Sequence, residues 1–116
     1  MATYIALVNF TEQGVRDFRS TADRAGKFKT MAEEAGVKVK DIFWTMGNYD
    51  IVLVLEAADE KTVVGTMLGL ASLGNVRTQT LRAFNSAEMK EIISKAPKGK
   101  TAYVGDIGIS LMIYDF

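Results

Sequence analysis

The stretch that decides the fold is Val37-Lys38-Val39-Lys40-Asp41-Ile42-Phe43-Trp44-Thr45-Met46-Gly47-Asn48-Tyr49-Asp50-Ile51-Val52-Leu53-Val54-Leu55-Glu56-Ala57. β-Branched and aromatic residues dominate both of its ends, and Met46-Gly47-Asn48-Tyr49 supplies turn chemistry between them. It reads as a hairpin, with strands over 37–45 and 50–57. Gly47 is suited to a positive φ, Asn48 tolerates the left-handed region, and Asp50 is placed to accept hydrogen bonds from turn amides.

Working outward, residues 3–10 read as a first strand that ends at the polar cluster Thr11-Glu12-Gln13-Gly14. Phe28, Met31, Ala32 and Ala35 repeat at helical spacing, and Gly36 stands where a left-handed cap would close that helix. On the far side of the hairpin, Asp59 is an N-cap for a second helix with Val63, Val64, Met67, Leu68 and Ala71 as its apolar stripe. Gly74-Asn75 marks its exit. Residues 76–84 read as a fourth strand, Ser86 caps a third helix to about Ser94, and the segment from Ala96 to Lys100 is a linker.

The succession is β-α-β-β-α-β, the split β-α-β or ferredoxin-like arrangement of an α+β domain over residues 1–94, with an antiparallel sheet and two helices on one face. Residues 95–116 form a linker and an apolar tail. The strands do not alternate cleanly: Tyr4, Ala6, Val8 and Phe10 oppose Ile5 and Leu7, and Ile51, Leu53 and Leu55 oppose Val52 and Val54. Both sheet faces are apolar, so the face away from the helices is expected to meet a second copy, giving a homodimer or higher oligomer, with cover by the third helix or the tail as the alternative.

Composition narrows the chemistry. The 116 residues include no histidine and no cysteine, which removes the commonest general base, thiolate nucleophiles and cysteine-based metal centres. Fourteen basic and fourteen acidic residues cancel. The signs balance within 1–84 and within 85–116 alike, leaving no basic footprint for nucleic acid. No apolar run reaches membrane-spanning length and the start lacks a basic signal-like region, so no membrane partner and a cytoplasmic location are expected.

Three segments, 3–11, 37–50 and 73–84, resemble the GYD domain family over about residues 3–94. The resemblance implies kinship with the dimeric α+β barrel superfamily and therefore a face-to-face dimer closed as a barrel. Here Gly47-Asn48-Tyr49-Asp50 carries an asparagine within the family's Gly-Tyr-Asp triplet, a form that also resembles the effector-binding hairpin of leucine-responsive regulators. That likeness implies a small molecule bound near the turn at a subunit interface. Asn9, Trp44, Tyr49, Asp50 and Arg82 are the ligand-binding candidates, and with scattered carboxylates and no histidine or cysteine no metal or cofactor is expected. Binding, assembly or regulation comes first. A cofactor-independent oxygenase acting on an aromatic substrate is the alternative that the superfamily implies, whereas its heme branch needs an iron-ligating histidine that is absent.

Period-two alternation sends Arg77 and Arg82 to opposite faces, so they make no two-arginine clamp. In the tail, Ile107, Ile109, Leu111 and Ile113 recur at strand spacing, an aggregation hazard unless docked. Docking is expected as an extra strand on a sheet or in a groove of another protein. Gly105-Asp106-Ile107-Gly108-Ile109 resembles the peptides by which cargo enters encapsulin shells, which implies a third role, as shell cargo.

Overall fold

In the computed structural model, residues 1–98 are described in full, and residues 100–103 and 110–113 as backbone strands. The elements run β1 (Ala2–Phe10), α1 (Glu12–Arg16), a 3-10 turn (Phe18–Ser20), α2 (Thr21–Glu34), β2 (Lys38–Trp44), β3 (Ile51–Ala57), α3 (Glu60–Ser72), β4 (Val76–Ala83), α4 (Ser86–Lys95), β5 (Lys100–Tyr103) and β6 (Ser110–Ile113). They fall into two units, Met1–Phe84 and Asn85–Phe116.

In the first unit, β1 to β4 form an antiparallel sheet in the order β2-β3-β1-β4. Tyr4, Ala6 and Val8 of β1 and Ile51, Leu53 and Leu55 of β3 are buried in one core with Phe28 and Ala32 of α2 and Val63 and Met67 of α3. This is an α+β architecture. The expected barrel is not formed: the sheet is open, β2 and β4 are its two edges, and no pairing joins them. Four strands fall short of the number needed to curl round and pair edge to edge.

Local chemistry explains where the elements stop. Gly36, Gly47 and Gly74 have positive φ, at 93°, 101° and 85°, and no other described residue does. Gly36 thus closes α2 as expected, with its N–H donating to Glu33 O and that of Val37 to Ala32 O. In the hairpin turn the positive φ falls on Gly47, and Asn48 does not use the left-handed region it tolerates. Asp59 caps α3, accepting from Thr62 N at 2.8 Å.

Two further sequence expectations need correction. The buried stripe of α3 is Val63, Thr66 and Met67 with Leu70 packed beside it, while Val64 and Leu68 are exposed. Positions 63, 66, 67 and 70 make one helical face, whereas 64 and 68 lie about 100° round the axis. Second, α4 is capped by Asn85 rather than Ser86. Its side chain accepts from Glu88 N while Glu88 Oε1 accepts from Asn85 N, a reciprocal box that serine one position later does not complete.

In the second unit, β5 and β6 pair with each other as a two-stranded antiparallel sheet. The shell-cargo peptide, residues 105–109, lies outside the described residues. Among the described residues, no helix is long and apolar enough to cross a membrane.

Candidate functional site

Asp50, just before β3, ties the hairpin to the first strand. Its Oδ2 accepts from Phe10 N at 2.8 Å, its N–H donates to Val8 O at 2.9 Å, and its carbonyl accepts from Thr45 N at 2.8 Å. β1 and β3 pair from Ala2↔Ala57 to Val8↔Ile51, so Asp50 continues that register past the last rung and meets an otherwise unpaired N–H. Thr45 Oγ1 donates to Tyr49 O at 2.6 Å, closing the turn from the other side. The Gly-Asn-Tyr-Asp stretch is a clasp.

Register and pleat then separate the remaining candidates. Residues 4, 6 and 8 of β1 are buried against the helices, so Ile5, Leu7 and Asn9 belong to the open face. Asn9 lies opposite Arg77, and the Tyr49 hydroxyl reaches Gln79 Oε1 at 3.3 Å, so Asn9, Tyr49, Arg77 and Gln79 gather at one end of that face. Trp44 is on the helix side, its indole N–H donating to Thr21 Oγ1 of α2 at 3.0 Å. Arg82 is near the other end of β4, opposite Tyr4, its guanidinium over the Tyr4 and Phe84 rings and donating to Thr3 O and Ala83 O.

Arg77 and Arg82 therefore occupy opposite faces, as strand alternation requires. Asn9 and Trp44 also do.

A β-bulge makes the helix side of β2 continuous. The pairing of Val39 with Leu55 is followed directly by Asp41 with Val54, and Lys40 is the extra residue. Without that insertion Ile42 and Trp44 would fall on the face opposite Val39. With it, Val39, Ile42 and Trp44 share the helix side while Asp41 and Phe43 join the open face. Lys40 Nζ meets Glu56 Oε1 at 3.0 Å. That hydrogen bond, ahead of the charges of Lys40 and Lys38, holds the Glu56 carboxyl below its ordinary range despite some desolvation.

The open face is thus apolar at its centre, with Ile5, Leu7, Val52 and Val54 half-buried among their neighbours, Phe43 53% exposed and Leu81 41% exposed. Polar groups stand at both ends. A lone sheet face would ordinarily carry alternate polar side chains here.

Between the sheet and the helices lies a cavity of about 350 Å³. Phe28 and Met31 of α2, Ile42 and Leu53 of the sheet, Leu70 of α3 and Leu73 at its C-terminal end are among its walls. None of Asn9, Trp44, Tyr49, Asp50 and Arg82 lines it, although Thr21, the acceptor for Trp44, does. Sequence reasoning missed this cavity because Phe28, Met31 and Leu70 read as ordinary core.

The corner beyond β1 was also unforeseen. Thr11 caps α1 by accepting from Gly14 N, donates its hydroxyl to Gly74 O at 2.6 Å, and its N–H reaches Asn75 O at 3.0 Å. Threonine three residues before a buried glycine was the available clue.

Comparison with known proteins follows the same boundaries. The family model described as the GYD domain matches residues 4–93. A protein of Thermus thermophilus, described as a glutamine synthetase and cystathionine beta-lyase binding protein, is 37% identical over 90 residues, covering 77% of this chain and 95% of that protein. Among solved structures, the crystal structure of TTHA0845, also from Thermus thermophilus, matches with a TM-score of 0.49 and 24% identity over 74% of this chain and 96% of that one. The matched span runs from the first strand through the fourth and most of the helix after it, and on that span the chain belongs to the GYD domain family.

Proposed function

We propose that this chain is a non-catalytic binding module that attaches to a metabolic enzyme of the kind named for its Thermus relative, glutamine synthetase or cystathionine beta-lyase. The observation that carries the reading is that relative, 37% identical and covered over 95% of its length, whose description is of binding to those two enzymes. The open sheet face supplies the surface. Phe43 and Leu81 are its exposed apolar anchors, Ile5, Leu7, Val52 and Val54 form a flat floor, and Asn9, Tyr49 and Gln79 offer hydrogen bonds at one end.

Asp50 and Arg82 act in this reading as scaffold, one closing the hairpin and the other bracing the end of β4. The absence of histidine and cysteine supports binding over catalysis.

A second reading has its own support. The floor is apolar on a sheet that carries its helices on the other side, which also suits a second copy docking face to face with each sheet still open. Light scattering at micromolar concentration separates the two. Self-association predicts a particle of at least twice 12.7 kDa that the charge substitutions Phe43→Lys and Leu81→Lys return to a monomer. Enzyme binding predicts that the same substitutions abolish the mixed complex whatever the mass of the free protein.

A further inference from the structure

The cavity between sheet and helices has a polarity that its walls alone do not require. Its lining is almost wholly apolar, and among the described residues its charged members are Arg24 and Lys27, both cations, both on α2, with no carboxylate contributing to it. Arg24 is committed to the fold: it donates to Gly14 O at 3.0 Å, Asp17 O at 2.6 Å and Ser20 Oγ at 2.8 Å, and lies 3.4 Å from Asp17 Oδ2. The Lys27 side chain, one turn further along the same helix, makes no ion pair or hydrogen bond among the described residues and is exposed at the rim.

We infer that this cavity is a binding site for a small amphipathic anion, an apolar body of about a dozen non-hydrogen atoms carrying one carboxylate. At roughly 30 Å³ per atom, the liquid share of a water molecule, the cavity of about 350 Å³ has room for a body of that size. Burying such a body removes apolar surface from water on both sides of the contact, and the carboxylate stays at the rim against the Lys27 ammonium. Thr21 and Asn75 line the cavity as uncharged polar groups and add hydrogen-bonding capacity without repelling an anion. A cationic or neutral head group gains nothing from Lys27. The inference stands apart from the protein-partner reading, because the cavity lies on the side of the sheet away from the proposed enzyme-binding face.

The test uses the whole chain and its one tryptophan. Trp44 is 47% exposed and donates to Thr21, a lining residue, so occupation of the cavity changes its surroundings. Sub-micellar decanoate is titrated against the protein, with decanol and decyltrimethylammonium as head-group controls, and binding is read by tryptophan fluorescence and by calorimetry. Decanoate is expected to bind saturably at one site and raise the melting temperature, with both controls weaker. Lys27→Gln, a substitution on an exposed helical position, is expected to weaken decanoate by about tenfold and leave decanol unchanged. No saturable heat or fluorescence change with decanoate overturns the inference; so does equal binding of all three head groups, or decanoate binding that Lys27→Gln does not alter. No partner enzyme is present, so failure here leaves the enzyme-binding reading to its own test.

Discussion

Replacing Asp50 by alanine tests whether the aspartate of the family motif is a structural clasp. The side chain contributes one interaction that no other residue supplies, the 2.8 Å hydrogen bond from Phe10 N to Oδ2 in a half-buried setting. A hydrogen bond to a charged group contributes about 1.5–3 kcal/mol, and its loss leaves a strand-end N–H without its protein partner. The backbone bonds of residue 50 to Val8 and Thr45 survive any side chain. Asp50→Ala should therefore cost about 2 kcal/mol, and Asp50→Asn, which keeps an acceptor oxygen without the charge, about half of that. For a urea slope of about 1–2 kcal/mol per molar, the alanine variant shifts the unfolding midpoint down by about 1–2 M with the slope unchanged. Phe10 also lines the cavity, so the same variant loosens one of its walls. If Asp50→Ala unfolds at the parental midpoint but fails to bind the partner enzyme, the clasp argument is wrong and the motif acts directly in recognition.

Two glycines give opposite outcomes for the same substitution. A Cβ at Gly14 would stand 1.9 Å from Asn75 O, a backbone atom that also accepts from Thr11 N, so Gly14→Ala is expected to lose about 2–4 kcal/mol in chemical unfolding by forcing that corner apart. At Gly26 in α2 a Cβ meets nothing within 4 Å, and Gly26→Ala should add about 0.5–1 kcal/mol through helix propensity. The acid limb offers a further check. Glu56 and Asp59 are both held below their ordinary values, 4.5 and 3.8, Glu56 chiefly by the Lys40 hydrogen bond and Asp59 chiefly by the Thr62 N–H. Such groups stabilise the fold above their unfolded-state values, and that contribution disappears as the pH falls through the lower folded-state ones. Melting temperature should thus drop below about pH 4.5, with a shallower drop in Lys40→Gln because Glu56 then has less to lose; an identical acid limb in that variant would remove Lys40 from the explanation.

Much of the scaffold was legible because its signals are local. The hairpin between Thr45 and Asp50, the positive φ of Gly36 and Gly47, the cap at Asp59 and the opposed arginines of β4 all follow from short-range backbone and side-chain rules. What was missed or misread depends on register or distance. The bulge at Lys40 changes which of Phe43 and Trp44 faces the helices, and a composition of alternating apolar residues on both sides of it carries no mark of the insertion. The choice between Val64 and Thr66 for the buried side of α3 turned on about 100° of helix rotation, in a segment that is apolar most of the way round.

The candidate site divides for the same reason. Asn9, Trp44, Tyr49, Asp50 and Arg82 sit near strand ends in the sequence, but pleat and register distribute them between two faces and two ends of the sheet. The barrel expectation came from kinship, and the open order β2-β3-β1-β4 corrects it.

The most direct test of the binding-module account is calorimetric titration of the purified chain against glutamine synthetase and against cystathionine beta-lyase from its own source. The account predicts saturable, stoichiometric binding to at least one of them that the paired substitution Phe43→Lys with Leu81→Lys abolishes while the variant keeps its circular dichroism. Binding to neither enzyme, or undiminished binding by the folded double variant, would contradict it.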